Sequence, residues 1–166
     1  NAAFWQRTGN VPDLKRIEGS TDLIISRSGD PEAQIARGNN GPFIPGNAWS
    51  ENQWGQGYRI VARANEMLEG MIRGEKTTPK AAFARMRSEA LTLRAWAYFN
   101  LMVWYGDPVY YTKVLTPEEY DTQTRTPVGT VVAALYKDLD EAYANLEFAP
   151  SDKGRVTKAF AVGLKA

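Results

Sequence analysis

The sequence predicts a mainly α-helical chain built from helical hairpins, and three observations carry that reading. Apolar residues recur at three-and-four spacing over separate stretches, and Pro and Gly punctuate the ends of those stretches. The most apolar run, Ala90 to Tyr105, is 16 residues long and contains Thr92, Arg94 and Asn100, which falls short of the roughly 20 apolar residues that span a bilayer. It therefore reads as a buried core helix. A chain of 166 residues allows one compact domain or part of a larger one, and at this size about 68 to 70 per cent of the unfolded surface can be buried.

The first predicted helix runs from Gly57 to Arg73, where Tyr58, Val61, Ala62, Asn65, Leu68 and Ile72 share a face that Ile60, Ala64, Met67 and Met71 widen. A turn over Gly74 to Thr78 leads to Pro79 at a second helix start, with Phe83, Met86, Ala90, Leu93, Ala97, Leu101 and Trp104 along one face. Gly106-Asp107-Pro108 ends it. Thr126 as N-cap and Pro127 at the first helical position open a third helix, whose Val128, Val132, Leu135, Leu139, Ala142 and Leu146 follow helical spacing. After a polar turn from Pro150 to Gly154, Thr157 caps a fourth helix in which Ala159, Ala161 and Gly163 allow close backbone approach. These helices make two hairpins. Ala95 and Phe99 fit the A-x3-F element of tetratricopeptide repeats, although the hairpins lie about 70 residues apart instead of 34 and no Trp-x2-Leu-Gly precedes them. The predicted fold class is mainly α, with tetratricopeptide-like helical hairpins forming an α-solenoid scaffold and with long irregular loops.

One partial domain covers residues 1–166: an irregular N-terminal region at 1–50, then a helical-hairpin scaffold at 51–166 that carries an inserted loop at 107–125. Loops of this length are functional or packed on structure outside them. The opening Asn1-Ala-Ala-Phe-Trp-Gln has neither Met nor an apolar leader, and Thr157 to Ala166 lacks a helix stop signal, so a piece of a longer protein is expected.

Composition removes several function classes. The chain has no Cys and no His, so thiolate nucleophiles, Cys-ligated zinc and the usual general base are absent. Lys plus Arg number 20 and Asp plus Glu 19, with 10 basic against 9 acidic residues up to position 83 and 10 against 10 beyond it. Neither half has the basic field that nucleic acid requires. There is no G-x-x-x-x-G-K-[ST] or G-x-G-x-x-G element, and Asp138-Leu-Asp140-Glu141 lacks the spacing of a calcium loop and reads as a solvated helix face. No cofactor or metal is expected. Glu51 and Asp121 are the loop carboxylates that a two-carboxylate glycosidase would use, but nothing holds them at a working separation, and the reading is non-enzymatic.

Four consecutive segments resemble the N-terminal part of the SusD/RagB family of glycan-binding outer-membrane lipoproteins. They are Trp54-x3-Tyr58-Arg-Ile-Val-Ala-Arg-Ala-Asn65-Glu-Met-Leu, then Glu89-Ala-Leu-x-Leu-Arg94-Ala-x-Ala-Tyr98-Phe99-x-Leu-x3-Tyr105-Gly-Asp-Pro-Val109, then Arg125-Thr-Pro-Val128 with Leu135-Tyr-x-Asp138-Leu-Asp-x-Ala142-x3-Leu146, and last Gly154-Arg155-Val-Thr-Lys158-Ala-x-Ala161. The resemblance implies a tetratricopeptide-like scaffold and a cell-surface position in the outer membrane of Gram-negative bacteria. A lipid anchor, which would need an N-terminal Cys that this chain lacks, is implied by the family alone. The resemblance also implies a TonB-dependent, SusC-like transporter as partner, an oligosaccharide as ligand, and a C-terminal half of the fold that is missing here.

Sugar capture needs aromatic faces for pyranose C–H surfaces and planar amides or charges for hydroxyls. The segment Arg37 to Trp54 combines three Gly, two Pro, four Asn and two Trp, and in the family part of the ligand site lies just before this helix. Trp49 is the expected stacking platform, with Arg37, Asn39, Asn40, Glu51 and Asn52 as hydrogen-bonding candidates; the alternative is that Trp49 and Trp54 seal the loop and the Asn residues form turns. Tyr110, Tyr111 and Tyr120 meet a ligand or partner, or pack against a neighbouring lobe. Trp96, Tyr98, Phe99, Trp104 and Tyr105 carry a core signature. Arg94, nearly alone among apolar neighbours, requires a carboxylate or carbonyls, with Glu89, Asp138 and Asp140 as the candidate carboxylates. The expected function is glycan capture and delivery to the transporter. The second reading is a tetratricopeptide-like adaptor that binds peptide or protein in a helical groove near Asn65 and Arg59.

Overall fold

The structure is a computed structural model that describes residues 48–166, with side chains from Ser50 onward. Among the described residues five helices follow one another: α1 (Ala48–Gly74), α2 (Lys80–Tyr105), α3 (Pro117–Thr122), α4 (Val128–Asn145) and α5 (Lys158–Lys165). Among the described residues there is no strand, only an antiparallel bridge between Val109 and Arg125. The mainly α prediction holds. A division between Gly57 and Tyr58 separates two compact units, and the second, Tyr58–Ala166, contains most of α1 and all of α2 to α5.

α1 starts at Ala48, well upstream of the predicted Gly57. Gly55 and Gly57 each cost a helix about 1 kcal/mol relative to Ala, yet the helix runs through both, with Gln53 and Gln56 buried at 3% and 4% exposure. Burial of this face overrides the local preference. Further along, Val61, Ala64, Asn65 and Leu68 are buried as the periodicity predicts, whereas Ile72 is 68% exposed and does not belong to the core.

α2 is the central element. From Ser88 to Leu101 it buries Ala90, Leu91, Thr92, Arg94, Ala95, Ala97, Tyr98 and Leu101 on nearly all sides, which explains why its apolar residues form no single stripe. Each fully buried leucine here stabilises the fold by about 1.5–3 kcal/mol. Phe99 breaks the predicted core signature, since it is exposed, as is its neighbour one turn on, Val103. The helix ends at Gly106, whose N–H donates to the Met102 carbonyl at 3.0 Å and whose φ of 71° suits a residue without Cβ.

α4 packs against α2 on one side and α5 on the other, burying Val131, Leu135, Leu139 and Ala142. The predicted Thr126 cap is not used. Pro127 occupies the N-cap position without a side-chain bond, and Asp107 reaches across from the end of α2 to accept from the Val128 N–H at 2.9 Å. Thr157 does cap α5, accepting from the Phe160 N–H at 3.2 Å, and Ala161 is the buried small residue of that helix, while Ala159 and Gly163 are exposed.

Candidate functional site

Arg37, Asn39 and Asn40 lie outside the described residues. Trp49, placed by the sequence on a loop, falls in the first turn of α1. Glu51 and Asn52 are also helical: Glu51 is exposed in the first turn, where a carboxylate favours the helix dipole. Asn52 is half-buried and accepts from Gln56 Nε2 at 3.4 Å, one turn away. These three candidates therefore share the start of a helix in place of a loop. Asp121, the other carboxylate considered, is exposed in α3.

The densest polar chemistry in the described residues lies elsewhere, along the strap that joins α2 to α3. Its peptide groups bond to helix side chains. Tyr58 Oη accepts from the Val109 N–H at 2.7 Å. Tyr98 Oη accepts from the Tyr111 N–H at 2.9 Å and donates back to the Tyr111 carbonyl at 2.7 Å, the exchange that a β-ladder would otherwise supply. Asn65 Nδ2 donates to the carbonyls of Tyr111 at 3.4 Å and Lys113 at 3.2 Å. Arg94 Nη1 donates to the Thr112 carbonyl at 3.3 Å, and Glu69 Oε1 accepts from the Val114 N–H at 2.6 Å. The three α1 contributors, Tyr58, Asn65 and Glu69, sit two and then roughly one turn apart, on one face.

Aromatic packing reinforces this arrangement. Tyr111 is buried and stacks on Tyr58 with ring centroids 6.2 Å apart, while Tyr120 meets it edge-on at 6.1 Å. Tyr110 tilts against Tyr98 at 4.9 Å. Burial pushes the Tyr98 and Tyr111 phenols well above the usual range, so Tyr98 remains a protonated donor at any ordinary pH. Tyr110 and Tyr111 thus pack onto α2 and α1, whereas Tyr120, in α3 and exposed, packs on Tyr111.

Arg94 resolves as a structural residue. Its Nε and Nη2 donate to Asp138 Oδ2 at 3.1 and 2.6 Å, and its Nη1 donates to Asn65 Oδ1 at 2.9 Å. Asp138 is consequently not part of a solvated face, as the sequence suggested, but half-buried against Arg94. Burial drives its carboxyl above the ordinary value despite the neighbouring guanidinium, so desolvation outweighs the ion pair. The other two carboxylates considered for Arg94 are engaged elsewhere: Glu89 with Arg155 Nε at 2.8 Å, and Asp140 with Lys165.

The Tyr105-to-Val109 and Arg125-to-Val128 segments meet in a joint. Arg125 Nη1 donates to the carbonyls of Tyr105 at 3.1 Å and Asp107 at 2.7 Å, and the Thr126 N–H donates to the Pro108 carbonyl at 2.8 Å. Sequence reasoning missed the roles of Tyr58, Glu69, Asp107 and Arg125. The i, i+7, i+11 spacing of Tyr58, Asn65 and Glu69 was the one available signal.

Among the described residues no group of three or more acidic, His or Cys side chains is placed to hold a metal ion, and no described helix is long and apolar enough to cross a membrane.

Comparison with known proteins places these features in a family. A SusD-like family model, described as starch-binding and associating with the outer membrane, matches residues 34–164. A SusD-like protein of Formosa agariphila is 28% identical over 107 residues, covering 63% of this chain and 20% of its own length. A solved laminarin-binding SusD-like protein is 29% identical with a TM-score of 0.63, over 68% of this chain and 24% of that one. A SusD superfamily protein of Parabacteroides distasonis shares the fold over 99% of this chain and 35% of its own, with a TM-score of 0.82 at 22% identity. The chain spans about a fifth to a third of the relatives it matches.

Proposed function

The chain belongs to the SusD-like family of starch-binding proteins associated with the outer membrane, and from this we propose that it is part of a cell-surface protein that captures an oligosaccharide without turning it over and passes it to a TonB-dependent, SusC-like transporter. Trp49 provides the stacking face at the start of α1, and Arg37, Asn39, Asn40, Glu51 and Asn52 bind hydroxyls.

The observation that carries the choice between readings is the strap. A peptide adaptor needs an open groove beside Asn65, and Asn65 is fully buried with its amide committed to the strap carbonyls and its oxygen to Arg94. That occupancy supports the glycan reading over the adaptor. The test is affinity electrophoresis of the full-length protein in gels containing starch, laminarin or xyloglucan. At least one glucan is expected to retard it, and Trp49→Ala is expected to restore free mobility. Unretarded migration in every gel would sink the proposal.

A further inference from the structure

Resting on the glycan reading above, we infer that α4 and α5 carry a second oligosaccharide-binding face, built by residues other than those at the start of α1, on which Tyr136 and Tyr143 stack the rings of an extended glucan chain. The core side of α4 is occupied by Val131, Leu135, Leu139 and Ala142. Tyr136 and Tyr143 each follow one of these residues and line the flank of that side, 42% and 46% exposed, and Phe148 just beyond the helix is 64% exposed. Large rings set in a row at the surface mark a face that binds something. Charges are interleaved with them. Lys165 of α5 lies 5.5 Å from the centre of the Tyr136 ring and is paired with Asp140, and Lys158 lies 4.5 Å from the centre of the Tyr143 ring and 5.6 Å from that of Phe148. Asp140 falls between the two tyrosines along α4, where Leu139, Asp140, Tyr143 and Lys165 line a cleft of about 300 Å³.

This alternation of ring and charge selects the occupant. An apolar helix seated on the row would take Asp140, Lys158 and Lys165 out of water and offer them no hydrogen bonds. A pyranose chain instead presents C–H faces to the rings and hydroxyls to the carboxylate and ammonium groups at the same time. The spacing then selects the shape of the chain. Tyr136 and Tyr143 are two helical turns apart, roughly 10.5 Å along the axis, which is about the reach from one pyranose ring to the next but one in an extended chain. A straight, ribbon-like glucan backbone such as that of xyloglucan turns the same way at every second ring and meets both tyrosines, whereas the coiled chains of starch and laminarin curve off the row after the first. The face strengthens the hold on a long chain that is already captured, by raising its effective concentration, and is weak alone.

The test is affinity electrophoresis of the full-length protein over a range of xyloglucan, starch and laminarin concentrations, comparing the parent with the double variants Tyr136→Ala/Tyr143→Ala and Tyr136→Phe/Tyr143→Phe. The alanine pair is expected to weaken xyloglucan binding at least about tenfold with an unchanged thermal midpoint, and the phenylalanine pair, which keeps both ring faces, to stay within about threefold of the parent. A parent retarded by starch or laminarin but not by xyloglucan, or an alanine pair retarded by xyloglucan as strongly as the parent, overturns this second face and leaves capture at Trp49 standing. A lowered thermal midpoint or a failure to fold in the alanine pair means that these rings pack inside the full-length protein, and also overturns it. A parent that migrates freely in every glucan overturns both readings together.

Discussion

Arg94 shows what a single residue demands of a fold. A guanidinium 5% exposed at the centre of α2 must be paired, and that requirement was legible from the apolar residues around it. Which carboxylate answers was not legible, because Glu89, Asp138 and Asp140 were all in plausible positions and only the packing of α4 on α2 decides among them. Removing the partner is the costly change: Asp138→Ala is expected to destabilise the protein by about 3–5 kcal/mol, measured as a lowered urea midpoint, whereas the apolar pair Arg94→Met with Asp138→Leu should recover most of that loss. Asp138 also has a pH signature. Its folded-state pKa lies above the unfolded one, so the folded protein binds that proton more tightly, and the cost of ionised Asp138 is relieved as pH falls toward the ordinary Asp range near about 4. Asp138→Asn is therefore expected to remove a component of stability that rises on acidification. A pH–stability profile identical to the parent's would contradict the assignment of the shift.

At the scale of elements, periodicity located the helices and misjudged how they begin. α1 extends back to Ala48 through two glycines because burial overrides propensity, and α4 is capped by Asp107, a residue 21 positions before the N–H it accepts from. No local window contains that pairing, whereas the Thr157 cap lies beside its helix and was legible. Asp107→Ala is expected to lower stability by about 1 kcal/mol, with a fall in thermal midpoint as the readout; no change would mean that Arg125 alone holds the joint. The short helix α3 is held by a Thr116–Glu119 capping box, with Glu119 also paired to Lys113. The Lys113 bond holds the Glu119 carboxyl below its ordinary value, and hydrogen bonds at the helix start hold Glu118 low as well. Both carboxyls are depressed in the fold, so their contribution is complete above the ordinary Glu range near about 4.3 and is lost as pH falls through the folded values. Nuclear magnetic resonance of the α3 amides is expected to show this turn loosening on acidification before α2 or α4 changes. Simultaneous loss of all three would contradict that order.

For the whole molecule, the residues that carry the family resemblance turn out to be joints of the scaffold. Asn65 and Arg94 join α1 to α2, Arg94 and Asp138 join α2 to α4, Glu89 and Arg155 join α2 to the turn before α5, and Asp107 and Arg125 tie the two ends of the inserted loop. The order of these motifs along the chain was visible, but their mutual contacts were not, because spacing carries no information about which side chains meet. Phe99 was read as core for a similar reason, since periodicity identifies an apolar face without saying what covers it. The scaffold residues hold shape, and we propose that the ligand binds at the start of α1. This division of labour is the central claim, and calorimetric titration of the full-length protein with starch, laminarin and xyloglucan oligosaccharides tests it most directly when Trp49→Ala and Arg94→Met are compared. The account predicts saturable binding of one glycan, a loss of at least about tenfold in affinity with an unchanged thermal midpoint for Trp49→Ala, and a lowered thermal midpoint with unchanged affinity for Arg94→Met. Parental affinity in Trp49→Ala, or heat of binding from peptides with none from any glycan, would contradict it.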